Sequence, residues 1–232
     1  AEQKGMQAEN EVVGGCRADA KEAWLSAANS AADEAELLND LGLHKQIVNR
    51  NLEPYQIMKT VVTFTERNNF FALRYHDDAQ PEIRELALVM LLAINESEPE
   101  VLKAGEWHLP YIGSSQDVET GEFYAYCIYD KNGDVVLLDE AQALKVSASC
   151  CAQVSYRVLD QGLEKALAIY DQLVNGKPVH ASPFEHQAMP MDATNPSEKG
   201  VTHYGVEGHK WSGNFQGWIQ NRQLIKDNVV HG

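Results

Sequence analysis

An α+β fold, with a helix-rich domain around a small, mostly antiparallel sheet, follows from three features of this sequence. Residues 18–41 and 81–94 carry apolar side chains at helical spacing. Phe123 to Tyr129 and Val135 to Leu138 are β-branched and aromatic runs joined by Asp130-Lys131-Asn132-Gly133-Asp134, which predicts an inserted β-hairpin. Pro183, Pro190 and Pro196 interrupt residues 177–210, so that stretch is expected to be irregular.

In the first helix, Ala23, Trp24, Ala27, Ala28, Ala31, Ala35, Leu37, Leu38 and Leu41 form the periodic set, and Gly42 is a natural stop. His44 to Glu53 reads as a second helix ended by Pro54. Val61 to Phe64 reads as an extended link. Pro81 suits a first helical turn, and Ile83, Leu86, Ala87, Met90, Leu91 and Ile94 share one side of the helix it opens. Trp107-His108-Leu109-Pro110-Tyr111 is loop-like. Asp139 is expected to cap a helix reaching about Val154, and Gln161 to Val174 forms another, stopped by Gly176. Trp211 to Gln220 reads as a strand, with Arg222 just beyond it.

The chain has 232 residues, enough for one domain with an insertion, and residues 1–232 are read as one domain. Lys and Arg number 19 against 34 Asp and Glu, a net charge of -15, which argues against a nucleic-acid-binding surface. A few arginines can still converge on a small phosphate ligand. No apolar run approaches the ~20 residues of a membrane span, and Ala1 to Asn10 is too polar for a signal peptide. The expected location is therefore cytoplasmic. Cys16, Cys127, Cys150 and Cys151 lack metal-ligand spacing and read as buried, reduced thiols.

By pattern alone, Arg50 and Arg74 are solvated surface groups. Ser182 and Glu185, three apart, fit a capping box, and Ser155 fits an ordinary helix-end hydroxyl. Two histidines six apart, His180 and His186, with no third ligand, make a poor metal site, and no metal is expected.

Two stretches change that reading. Leu73-Arg74, followed by Ala79-Gln80, Glu82-Ile83 and Ala87, resembles the C-terminal signature of the flavin-dependent thymidylate synthases, the ThyX family. His180-Ala181-Ser182-Pro183-Phe184-Glu185-His186 resembles that family's "H-x-[ST]-P-F-E-H" signature. Ala152-Gln153-Val154-Ser155-Tyr156 resembles its "A-R-V-S-[FY]" segment, with Gln153 in place of the arginine. The resemblance covers roughly 44–94, a nucleotide and flavin segment, and 146–187, a flavin and folate segment, with 95–145 as an insertion. The order of the two segments is reversed from the family's, which implies a circular permutation similar to phage-type members. The family's Arg-His-Arg signature does not occur in these 232 residues. The expectation is that it lies before Ala1, and that the chain as given binds flavin weakly and is inactive by itself.

The resemblance implies reductive methylation of dUMP to dTMP, with FAD as cofactor and NADPH and methylenetetrahydrofolate as co-substrates. It implies that Arg74 activates the pyrimidine and that Arg50, four residues before Pro54, contacts dUMP. Asn69, His180, Ser182 and Ser155 would line the cofactor side, with Glu185 supporting the loop. Thr63 and Thr65 fall where the family has an Asn and an Arg facing the flavin. A homotetramer in the cytoplasm of a bacterium or a phage-infected host is expected, with no nucleic-acid or membrane partner. Two alternatives stand beside this one: a related one-carbon transferase, such as a hydroxymethylating enzyme, and a non-catalytic remnant of the fold.

Overall fold

The computed structural model describes residues 10–116, 119–120, 123–154 and 162–229. Its contacts divide the chain into two units: Ala1–Met58 with Asn68–Ser97, and Lys59–Arg67 with Glu98–Gly232. The architecture is α+β, and every strand pairing among the described residues is antiparallel. No helix among the described residues is long and apolar enough to cross a membrane.

The first unit is helical. Helix α1 (Gly15–Asp40) ends as its glycine predicts. Gly42, at φ 89°, lets its N–H reach the Asn39 carbonyl while the Leu43 N–H reaches that of Leu38, a Schellman closure. Of α1, Ala35 is buried, whereas Trp24, Leu37 and the C-cap residue Leu41 stay exposed. Trp24 meets Tyr55 edge-on at 5.2 Å.

The expected second helix is shorter. Only Lys45–Val48 (α2) is α-helical, and Asn49–Tyr55 continues as a 3-10 helix containing Pro54. Proline cannot donate an i→i−4 bond and its ring crowds the carbonyl four residues back, so the last turns tighten instead of stopping. Helix α3 (Asn68–Arg74) packs against α4 (Pro81–Glu96), which has Pro81 in its first turn. Ala87 is fully buried in α4, while Leu86, expected on its inner side, is exposed.

In the second unit, β1 (Gly113–Gln116), β2 (Phe123–Tyr129) and β3 (Val135–Leu138) form a meander. Asp130 builds the β2–β3 turn by accepting the N–H groups of Asn132 (2.8 Å) and Asp134 (2.9 Å), and Gly133 takes φ 87°. Asp139 and Gln142 form a capping box that opens α5 (Glu140–Ala152).

Helix α5 is the buried axis of this unit. Its small side chains, from Ala143 through Val146, Ala148 and Cys150, admit close neighbours on two sides. On one side lie Trp107, Leu109, Ile128 and Leu138; on the other lie Leu173, Ala181 and Phe184. Helix α6 (Leu163–Asn175) packs along it. Cys127, Cys150 and Cys151 are buried free thiols as expected, but Cys16 is exposed because it opens the thinly covered α1.

The expected strand over 211–220 is replaced by three short ones: β6 (Lys210–Ser212), β7 (Phe215–Gln216) and β8 (Trp218–Gln220). Gly213 (φ 60°) and Gly217 (φ 73°) adopt left-handed backbone that an extended run cannot contain. Within 177–210, β4 (Ala188–Pro190) pairs with β8 and β5 (His203–Tyr204) with β6.

Candidate functional site

The His180–His186 segment follows α6 and is anchored by alternate burial. Ala181, Pro183 and Phe184 point inward, while His180 and Ser182 are exposed. The His180 N–H donates to the Leu173 carbonyl at 3.0 Å. Phe184 is fully buried and meets Tyr170 edge-on at 5.6 Å. A packed aromatic therefore fixes a loop whose polar groups face outward.

Ser182–Glu185 forms a short 3-10 turn with Ala181 before it and no side-chain cap, so the capping box does not form. Glu185 pairs instead with Arg222. A charged partner outbids a neutral backbone N–H for a carboxylate. Arg222 also donates to the Asn228 carbonyl (3.4 Å), while its buried Nε–H has no partner among the described residues. The side-chain amide of Gln220 donates to the Glu185 carbonyl at 3.3 Å, and to the Asn214 side chain at 3.0 Å.

Gln187, fully buried, closes the segment. Its amide nitrogen donates to the Pro183 carbonyl (3.1 Å) and Ser147 Oγ (3.2 Å), and its oxygen accepts from Asn221 Nδ2 (3.2 Å). It thus ties the turn to α5 and to the C-terminal stretch.

Thr63 and Thr65 meet this segment within the second unit. The Thr63 hydroxyl lies 3.2 Å from His186 Nδ1, and Thr65 Oγ1 accepts the Gln216 N–H at 2.9 Å. Burial lowers the His186 pKa, opposed by the neighbouring Glu185 carboxylate. A histidine held below its ordinary value is neutral at pH 7, so the Thr63 contact is between neutral partners.

In the first unit, Arg74 is the last residue of α3 and Asn69 lies in its first turn; both are exposed. Phe70 and Phe71 stack edge-on within the same helix at 5.2 Å. The acidic turn after Arg74 is organised without it: His76 Nδ1 accepts the Asp78 N–H (3.1 Å), and Arg84 pairs with Asp77 (2.6 Å). Arg50 lies exposed in the 3-10 helix that packs on α1. Among the described residues, Arg50, Asn69 and Arg74 carry no side-chain hydrogen bond or ion pair, so their polar heads are free for a ligand.

Ser155 lies outside the described residues. Gln153, where the resemblance puts an arginine, is buried and donates to Ser149 Oγ at 3.2 Å and to the Ser149 carbonyl at 3.3 Å. The sequence reading placed His186 in the motif without a partner, and missed Gln187 and Arg222 as parts of this site. Gln187 adjoins a recognised motif, and that adjacency was the available signal; Arg222 had none, standing 37 residues from Glu185.

In the first unit, exposed Asn69 offers an amide that both donates and accepts; in the second, exposed His180 and Ser182 offer an imidazole and a hydroxyl. No protein-family model, curated protein or solved structure matches the chain.

Proposed function

We propose that this chain is a flavin-dependent pyrimidine-nucleotide methylating protein of the thymidylate synthase type, acting on dUMP. The observation that carries the reading is the pair of separate signatures, Leu73 to Ala87 and His180 to His186. The meeting of Thr63 with His186, and of Thr65 with Gln216, supports it, since those threonines occupy positions that the resemblance assigns to the cofactor's surroundings.

In this reading Arg74 stabilises negative charge on the uracil ring and thereby makes C5 nucleophilic, a task for a cation that cannot lose its proton. Arg50 holds the nucleotide phosphate. The resemblance assigns Asn69, His180 and Ser182 to the flavin, and Phe184 and Gln187 fix the loop that carries His180 and Ser182. A bound flavin supplies hydride transfer from NADPH. Overall, dUMP would lose a proton from C5 and the methylene group would leave methylenetetrahydrofolate, whose two freed nitrogens take up that proton and one from solvent, while NADPH provides the hydride that completes the methyl group. The products are dTMP, tetrahydrofolate and oxidised NADP. Assembly into a homotetramer belongs to the same proposal.

The test is dUMP binding by calorimetry to the chain and its Arg74→Ala variant. Charge-assisted hydrogen bonds contribute ~1.5–3 kcal/mol, so the variant should bind about 10- to 100-fold more weakly with an unchanged circular dichroism spectrum. Equal affinity would remove Arg74 from the site. Absence of dUMP binding in the parent chain would favour a non-catalytic remnant, a reading suggested by Arg222, whose charge is engaged by Glu185.

A further inference from the structure

The insertion, which carries none of the resemblance, contains a cleft of about 790 Å³ bounded by residues 100–103 and 106–114 and by Phe123 and Tyr126. That volume lies within the range of about 300–1,000 Å³ typical of small-molecule sites. We propose that this cleft binds a planar organic cation, meaning a flat heteroaromatic ring that bears a fixed or protonated positive charge.

The shape argues for a flat ligand. Four aromatic residues, Trp107, Tyr111, Phe123 and Tyr126, are among those lining it, Trp107 being packed in the core behind. Phe123 and Tyr126 sit with ring centroids 4.9 Å apart and tilted by 60°, forming a corner and not a closed stack. Tyr126 is held in place because its hydroxyl accepts the Trp107 N–H at 3.3 Å. The floor is fixed too, since His108 exchanges backbone hydrogen bonds with Ala188 of β4 at 2.7 and 3.2 Å. Tyr111 adopts φ 68°, a left-handed conformation that few bulky residues sustain and one that clusters where a side chain is held for a ligand.

The charge argues for a cation. The lining holds two carboxylates, Glu100 and Glu106, against one ammonium, Lys103. The carboxylates Glu140, Glu106 and Glu100 all act to raise the pKa of Tyr126, beyond the larger effect of its burial. The field at the aromatic corner is therefore negative, and aromatic faces add their own attraction for a cation within ~6 Å. His108, held neutral at pH 7 by burial that outweighs the pull of Glu100, can hydrogen-bond a ligand without repelling it.

The test compares three probes of one shape on the full chain at pH 7.5: N-methylquinolinium (cationic), quinoline (neutral) and naphthalene-2-sulfonate (anionic). Calorimetry gives affinity, and ¹H–¹⁵N spectra report on the Trp107 indole and the Gly113 amide. The cation should bind saturably and shift both signals, with quinoline about tenfold weaker, because a desolvated cation–π contact is worth roughly that factor. The sulfonate should not saturate. Glu100→Gln should weaken the cation about fivefold and leave quinoline unchanged, as for a half-exposed charge pair. Lys103→Met should tighten it, and Phe123→Ala should weaken both the cation and quinoline. Equal affinity for the cation and quinoline, saturable binding of the sulfonate, or shifts confined to other residues would overturn the proposal. So would failure of the cation to saturate.

Discussion

Replacing Gln187 by methionine tests whether the signature loop is held as described. The two side chains are close in volume, so the substitution removes hydrogen bonds with little change in packing. In the parent, Gln187 satisfies the Pro183 carbonyl and the Asn221 amide, both in buried residues, and also donates to Ser147 Oγ. Ser147 keeps its own donation to the Pro110 carbonyl at 2.9 Å, so its loss is small. Two buried polar groups are left without partners, at about 1–3 kcal/mol each, and methionine recovers part of that by apolar burial. The expected loss is about 3 kcal/mol. With a urea slope of about 2 kcal/mol/M, the midpoint should fall by about 1.5 M at unchanged slope. Tryptophan fluorescence during urea unfolding measures it. A loss below ~1 kcal/mol would mean that the Gln187 bonds do not fasten the turn to α5 and the C-terminal stretch.

Acidification should weaken the fold through two partly desolvated histidines. His186 and His108 both have lowered pKa values in the folded chain, chiefly from burial. Their contribution is intact above the unfolded value of about 6.5 and is lost as pH falls from there through the folded pKa, because only the unfolded chain then takes up the protons. Urea midpoints at pH 7.5 and 5.5 should show the drop, and His186→Asn should shrink it; an equal drop in that variant would clear His186. Thiol chemistry offers a separate check. Exposed Cys16 should react quickly with an aromatic disulfide reagent at pH 8, while Cys151, its pKa pushed up to about 12 chiefly by burial, should not react until the chain unfolds. Rapid labelling of Cys151 in the native chain would contradict the buried position of α5.

Local chemistry made much of the fold legible. Asp130 and Gly133 announce the hairpin turn, Asp139 the start of α5, Pro81 the start of α4 and Gly42 the end of α1, each because one side chain or one φ value decides the outcome within four residues. What the sequence concealed depends on partners far along the chain. Ser182 and Glu185 have the spacing of a capping box, yet Glu185 is taken by Arg222, whose charge outweighs the local alternative. Residues 211–220 alternate like a strand, but Gly213 cannot extend: at its φ of 60°, a Cβ would lie 2.7 Å from Gln220 Oε1. The site was legible as motifs and opaque as an arrangement. Thr63 and His186 stand 123 residues apart, and no spacing rule links them. Gln187 reads as one more polar residue until its burial is known.

Flavin binding tests the central claim most directly. The cations free for phosphate are few, so the chain should be isolated colourless. FAD added at pH 7.5 should nevertheless bind saturably, with a Kd on the order of 100 µM, about 5.5 kcal/mol of binding free energy. Fluorescence quenching of the flavin follows the titration. Asn69→Ala and His180→Ala should each weaken binding severalfold, as expected for loss of one hydrogen bond to the ring. Failure of FAD to saturate the parent chain at ~1 mM, or equal binding by both variants, would contradict the assignment of these residues to a flavin site.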